Sequence, residues 1–305
     1  MFFLSTNTFY KRCFVFICII FTFNVNAQNQ TAPESISFYY QHVDSVRELL
    51  VYDRVVLTPS AITQRQLKQL KKGEVETFAY LSVGELHGEK IFDEFKQYII
   101  SHNKDWNSAV MDMTAEFWKN YLLNKTLEYK AKGFTGLFLD TLDSYQLAKG
   151  DEKFKQSQQQ GLITSLNALN EAMPNLLLNR GFDLVTQLNF KPTAVVAESL
   201  FKGYNVAVND YYDTDISGQQ WLISKLNEVQ ALGIEAIVID YVDGYSKNEQ
   251  RDTAKLILNN KFTPYVSDGL LNQFGVSTVE PVKRRVLTFY SNKDEIVEDL
   301  TAVVD

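Results

Sequence analysis

The sequence predicts an α/β protein folded as a (β/α)8, or TIM, barrel, and three observations carry that prediction. Eight short apolar runs recur between residues 36 and 266, the pattern of parallel strands buried on both faces. Stretches with helical spacing separate nearly all of them. Most of the runs end in a carboxylate, an amide or a tyrosine, and (β/α) enzymes place their catalytic groups at the carboxyl ends of strands. The competing architecture, an open doubly wound sheet, calls for a glycine-rich phosphate turn after its first strand, and this chain has none there.

Taken in order, Ile36–Tyr40 is the first strand, and a short helical stretch near Val46 leads to the second, Arg54–Leu57. Ser60 is placed to cap a helix over Ala61–Lys72 whose last turn is basic, as the macrodipole favours. Thr77–Val83 is the third strand and runs into Gly84-Glu85. After a long excursion through Trp106 and Met113, a helix opened by Thr114 stops at Gly133. Gly136–Leu139 is then the fourth strand and ends in Asp140. Leu162, Leu166, Leu169 and Met173 mark the next helix, which Pro174 stops. Leu176–Leu178 ends in Asn179-Arg180, and Ala194–Ala197 ends in Glu198, followed by a long loop over Tyr204–Tyr212. A helix over Trp221–Leu232 closes at Gly233, and Ala236–Ile239 ends in Asp240-Tyr241. A last helix includes Ala254–Leu258, and Phe262–Val266 is the eighth strand despite Pro264 within it. The barrel is expected over residues 28–275. Residues 276–305 form a C-terminal βα extension, with a strand near Arg284–Tyr290 and a helix near Asp294–Val304.

The first residues bear on the compartment. Lys11-Arg12 precede an apolar run from Phe14 to Phe23 and a small-residue site ending at Ala27. That run is short for a bilayer span and reads as a signal peptide over residues 1–27, giving a secreted or periplasmic protein with no stable membrane insertion after cleavage. Cys13 and Cys18 leave with it, so disulfides and thiolate metal sites are excluded from the mature chain. The formal charge of −7 becomes −9 once Lys11 and Arg12 are removed. Such a surface makes nucleic acid a poor partner and suits a cationic one.

The strand ends collect Tyr40, Thr58, Glu85, Asp140 with Asp143, Asn179 with Arg180, Glu198, Asp240 with Tyr241, and Asp268. A rim of acids with tyrosines between them fits glycoside hydrolysis, in which one carboxylate stays ionised and another carries a proton. Tyrosine adds flat faces for sugar rings and hydroxyls for hydrogen bonds. His42, His87 and His102 fall away from strand ends and no G-x-S-x-G occurs, which argues against serine hydrolysis. No H-E-x-x-H is present for zinc, and no metal or cofactor is expected, although Asp140-x-x-Asp143 is a spacing that could chelate calcium or magnesium. Asp140 and Glu198 stand out because ending an apolar run in an acid carries a desolvation cost unless the acid is used or paired. Asp143 serves equally as a cap for a turn through Ser144–Leu147, and Glu85 as a solvated loop residue.

Phe38-Tyr-Tyr40, Tyr80-Leu-Ser-Val-Gly-Glu85, Gly133-Phe-Thr-Gly-Leu-Phe-Leu-Asp-Thr-Leu-Asp-Ser-Tyr145, Asn179-Arg-Gly-Phe182, Glu198-Ser-Leu-Phe201 and Asp240-Tyr-Val242 together resemble the endo-α-1,4-polygalactosaminidase family, glycoside hydrolase family 114. The resemblance spans about Ile36 to Asn272. It implies an exported (β/α)8 glycosidase acting on α-1,4-linked galactosamine or N-acetylgalactosamine exopolysaccharide, with Asp140 and Glu198 as its essential carboxylates. It also implies that the tail is the entry to a deacetylase-type region. Tyr40, Tyr80, Glu85, Asp143, Arg180, Asp240 and Tyr241 would then hold the sugar or tune the acids. Where relatives carry an acid before the proline after the second strand, this chain has Thr58. Asp140 as nucleophile and Glu198 as acid/base is the retaining assignment, with the exchange of roles left open by sequence; carboxyl groups about 5 Å apart favour retention and about 6.5–9.5 Å inversion. The alternative is a non-catalytic carbohydrate-binding barrel serving polymer retention or export.

Overall fold

The computed structural model of the chain describes residues 34–87 and 92–281. The leader expected over residues 1–27 and the strand and helix expected near 284–290 and 294–304 lie outside them. The strands are β1 (Ile36–Tyr39), β2 (Arg54–Leu57), β3 (Glu76–Ser82), β4 (Glu85–His87), β5 (Ile99–Asn103), β6 (Ser108–Met111), β7 (Gly136–Asp140), β8 (Leu176–Asn179), β9 (Ala194–Glu198), β10 (Lys202–Asn205), β11 (Asp210–Asp213), β12 (Glu235–Tyr241) and β13 (Thr263–Ser267). The α-helices are α1 (Gln64–Lys72), α2 (Glu116–Lys132), α3 (Glu152–Ala172), α4 (Ile216–Ala231) and α5 (Lys247–Asn259).

Eight strands pair in parallel in the order β1-β2-β3-β7-β8-β9-β12-β13, the (β/α)8 arrangement expected from sequence. Side chains complete the seam between β1 and β13. Tyr265 Oη donates to the Phe38 carbonyl at 2.8 Å, and Ile36 N–H donates to Ser277 Oγ at 3.1 Å, which donates onward to the Pro264 carbonyl at 2.7 Å. Pro264 is tolerated because β13 has a strand ladder on one side only. Val276 pairs antiparallel with Val266.

Strand periodicity fills the interior in layers. At the amino-terminal end, the fully buried Arg54 makes a bidentate pair with Glu235 at 2.6 and 2.7 Å. Above it, Phe38 stands edge-on to Phe138 at 5.2 Å and lies 5.5 Å from Tyr265. Gly136 is needed here, because a Cβ at that position would come within 2.6 Å of the Phe78 ring. Gly133 ends α2 with φ 116°, the left-handed cap read from sequence.

Several local details differ from the sequence reading. Thr63, not Ser60, caps α1, through a capping box with Gln66. The excursion after β3 folds into a small antiparallel sheet, β4-β6-β5, and the loop expected over Tyr204–Tyr212 is the hairpin β10–β11. No α-helix separates β8 from β9, only a short turn at Val185–Gln187. No helix among the described residues is long and apolar enough to cross a membrane.

Candidate active site

The same alternation that fills the barrel builds its mouth. Phe78, Phe138, Leu177, Val196 and Ile239 are each followed two residues later by Tyr80, Asp140, Asn179, Glu198 and Tyr241. Residues two apart share a face, so these five side chains project into one rim from five consecutive strands, β3, β7, β8, β9 and β12. They form a continuous hydrogen-bonded row. Tyr80 Oη donates to Asp140 Oδ2 at 2.7 Å. Asn179 Nδ2 donates both to Asp140 Oδ1 at 2.8 Å and to Glu198 Oε1 at 2.7 Å. Tyr241 Oη donates to Glu198 Oε2. Asp140 also accepts the Thr141 N–H at 2.8 Å.

The backbone turns away immediately beyond these groups. Thr141, Arg180 and Ser199, the residues that follow Asp140, Asn179 and Glu198, have φ of 63°, 57° and 64°. Left-handed backbone is uncommon for side chains other than glycine, and strain of this kind clusters at functional sites.

The surroundings bias Glu198 toward its acid form. Burial pushes the Glu198 pKa up and the neighbouring Asp140 charge adds to it, against the hydrogen bonds from Tyr241 and Asn179 and the Arg180 charge. Three donors converge on Asp140, a pattern that suits an anion. Burial first, then the nearby carboxylates, raise Tyr80 and Tyr241 well above the ordinary phenol value, so both remain protonated donors. Tyr40 completes this wall: its ring stands edge-on to Tyr80 at 5.3 Å, and burial, then Asp140 and Glu198, raise its pKa too. One carboxyl biased toward its acid form beside a second that accepts three hydrogen bonds is the equipment for cleaving a glycosidic bond.

The family model described as glycoside-hydrolase family GH114 matches residues 22–283. The chain belongs to family GH114. Among solved structures, the glycoside hydrolase domain of PelA from Pseudomonas aeruginosa superimposes with a TM-score of 0.76 at 33% identity, covering 81% of this chain and 99% of that one. A variant of the same PelA domain gives the same TM-score of 0.76 at 32% identity, again over 81% of this chain and 99% of that one. Ega3 from Aspergillus fumigatus, in complex with galactosamine, shares the fold with a TM-score of 0.60 at 13% identity, over 80% of this chain and 94% of that one. A comparison with curated proteins returns no match. The protein is a glycoside hydrolase.

Within this GH114 barrel the residues singled out from sequence divide into two groups. Tyr40, Tyr80, Asp140, Glu198 and Tyr241 meet at the rim, and Arg180 acts on Glu198 from beside them. Glu85 and Asp240 do not face the mouth. Glu85 is buried and accepts from Asn103 Nδ2 at 3.0 Å, from Ser144 Oγ at 2.5 Å and from Ser108 Oγ. It ties β4, β5 and β6 to the segment after β7 and is no solvated loop residue. Asp240 is fully buried and accepts the N–H groups of Leu200, Phe201 and Lys202 at 2.6, 2.9 and 3.2 Å, so it organises the turn that follows Glu198. Asp268 does the same for its own loop, accepting from the N–H groups of Leu270, Asn272 and Gln273. Asp143 is exposed and makes no side-chain cap to the turn at Ser144–Leu147. Thr58 Oγ1 lies 3.5 Å from the Tyr40 carbonyl.

Asn179 was read from sequence as a strand-end residue without a role, yet it joins both carboxylates. Its place after Leu176–Leu178 is the same signal that singled out Asp140. A neutral amide attracts less notice than an acid, but its nitrogen offers two protons to two anions from one atom without adding a charge.

Proposed function

We propose that the protein is a retaining endo-glycosidase that hydrolyses α-1,4-linked galactosamine and N-acetylgalactosamine exopolysaccharide, with Asp140 as nucleophile and Glu198 as acid/base. The observation that carries this reading is the Asn179 bridge. Two hydrogen bonds from one nitrogen, 2.8 and 2.7 Å long, keep Asp140 Oδ1 and Glu198 Oε1 within about 5.5 Å of each other. Retaining enzymes hold their carboxyl groups about 5–5.5 Å apart, whereas inverting ones leave about 6.5–9.5 Å for a water.

In the first step an Asp140 oxygen attacks the anomeric carbon while Glu198 passes its proton to the departing glycosidic oxygen. In the second, Glu198 takes a proton from water, the water oxygen attacks the same carbon, and the bond to Asp140 breaks. The raised Glu198 pKa supports the acid role, and the donors from Tyr80, Asn179 and Thr141 support an anionic Asp140. Tyr40, whose hydroxyl makes no hydrogen bond among the described residues, is free to meet a sugar hydroxyl.

Family membership and the likeness to the PelA hydrolase domain support an amino-sugar polymer as substrate. The formal charge of −9 after loss of residues 1–27 supports one that carries free amines. The leader itself supports export to the periplasm or medium, where the mature chain would begin at Gln28.

The test is incubation with a galactosamine-rich polymer, following new reducing ends and the anomeric configuration of the first product by NMR. Wild-type protein should release oligomers whose new ends keep the α configuration. Asp140→Asn and Glu198→Gln should each lower turnover by about 10⁴-fold or more with the fold intact. Near-normal turnover in either variant refutes the assignment, and β products refute retention.

A further inference from the structure

Helices cover the outside of most of the barrel, but between β8 and β9 the ring has only the turn at Val185–Gln187. A groove of about 300 Å³ opens on this side of the rim, lined by Asp143 from beyond β7, by Arg180, Phe182 and Asp183 from beyond β8, and by Trp221 and Lys225 from α4, the Lys225 ammonium being paired with Glu228 at 3.1 Å. Helices of a (β/α) barrel run back against the strands, so the early turns of α4, where Trp221 lies, stand near the mouth. Trp221 is half exposed, and Phe182 braces it edge-on at 6.0 Å.

The groove meets the row of strand-end side chains at Arg180. Arg180 directly follows Asn179, and its charge reaches Glu198. Its left-handed backbone, φ 57°, swings the chain outward from the strand end. Among the described residues, Asp143, Arg180 and Asp183 enter no ion pair. An indole face beside free carboxylates and a free guanidinium is the chemistry that recognises an amino sugar: stacking for the ring, anions for an ammonium, and fixed donors for hydroxyls.

We infer that this groove is a further subsite, holding a galactosamine unit of the same polymer beyond the sugars at the carboxylate pair. Trp221 lies against the C–H face of that unit, Asp143 and Asp183 meet its ammonium group, and Arg180 donates to its hydroxyls. The inference rests on the glycosidase reading above and adds the path by which a long chain leaves the mouth.

Binding decides it separately from turnover. In full-length Glu198→Gln protein, galactosamine oligomers of increasing length should bind more tightly until the groove is filled. Adding Trp221→Ala should weaken the longest oligomer about tenfold and leave the disaccharide within about twofold. Trp221→Phe should restore most of the loss, which separates a stacking platform from a damaged fold. Asp143→Asn with Asp183→Asn should weaken the free-amine oligomer and not its N-acetylated counterpart. Equal affinity of the Trp221→Ala protein for long oligomers, or equal weakening at every length, overturns the subsite. Failure of wild-type protein to release reducing ends bears on the hydrolytic reading alone.

Discussion

Replacing Asn179 by leucine tests the row of five strand-end side chains at its centre. The substitution keeps the branching of the side chain, at a larger volume, while deleting the one nitrogen that donates to both Asp140 and Glu198. Hydrogen bonds to charged groups contribute about 1.5–3 kcal/mol each. Two carboxylates about 5 Å apart repel by roughly 3 kcal/mol at an effective dielectric near 20. If about 3–4 kcal/mol of this is expressed in the transition state, kcat falls by roughly 10²–10³-fold. The loss differs in kind from that of Asp140→Asn or Glu198→Gln, since both carboxyl groups remain.

A pH profile distinguishes this positioning role from general damage. Asn179 is one of the groups that pull the Glu198 pKa down. Without it Glu198 holds its proton to higher pH, and the alkaline limb of kcat/KM, which reports loss of the acid's proton, moves upward. Folding loses the same two hydrogen bonds, so a lower melting temperature, by about 6–12 °C for roughly 3 kcal/mol, with a cooperative transition and a native spectrum at the assay temperature, is the control. Turnover within threefold of wild type and an unmoved alkaline limb, in a folded protein, would falsify the bridge.

Two further predictions concern buried charges away from the reacting atoms. Burial pushes the Asp240 pKa up to about 7, against the N–H groups of Phe201, Leu200 and Lys202 and the Lys202 charge. Between an unfolded value near 4 and that value, the folded protein binds a proton that the unfolded chain does not, so this group's contribution falls as pH rises from about 4 to about 7. Denaturant unfolding across that range should show wild type losing stability relative to Asp240→Asn, by up to roughly 1.4 kcal/mol per pH unit; parallel curves count against it. At the barrel floor, Glu235→Ala leaves the Arg54 guanidinium, only 1% exposed, without its bidentate partner and with only Glu34, its carbonyl at 2.9 Å and its carboxylate at 3.6 Å, beside it. Removing one member of a buried pair costs about 3–5 kcal/mol, and replacing both members by apolar groups, as in Arg54→Met with Glu235→Leu, should recover most of it. Calorimetry checks this, and a loss below about 1 kcal/mol for the single variant speaks against it.

The eight strands were legible because a parallel strand covered on both faces must be apolar along its length, as Leu176–Leu178 and Ala194–Ala197 are. Their ends were legible for the converse reason, a sudden polar residue. What could not be read is which way a strand-end acid is employed. Glu85 and Asp240 follow the same local rule as Asp140 and Glu198, yet their oxygens are filled by Ser108, Ser144 and Asn103 in one case and by backbone N–H groups in the other. Those donors come from segments up to 59 residues away, which no local pattern shows. The β4-β6-β5 sheet escaped for a related reason: with three to five residues per strand and a bulge between Ile99 and Ser101, it offers little periodicity.

Register is what converts these strands into a site. Because side chains alternate, moving any one of the five strands by a single residue would send its rim group into the helix layer and bring its neighbour inward. On β9 that would exchange Glu198 for Ala197, and on β7 Asp140 for Leu139. Such a slip is opposed from below, since Phe138 on β7 must also meet Phe38, and Gly136 must lie where Phe78 needs room. The aromatic layer therefore sets the height and facing of the carboxylates one pleat above it. The left-handed residues Thr141, Arg180 and Ser199 then end each strand before the next side chain could intrude. Core packing and the geometry of the rim are thus two consequences of one alternation. Cavities cut beneath the site, as by Phe138→Ala, should loosen Asp140 as well as the barrel.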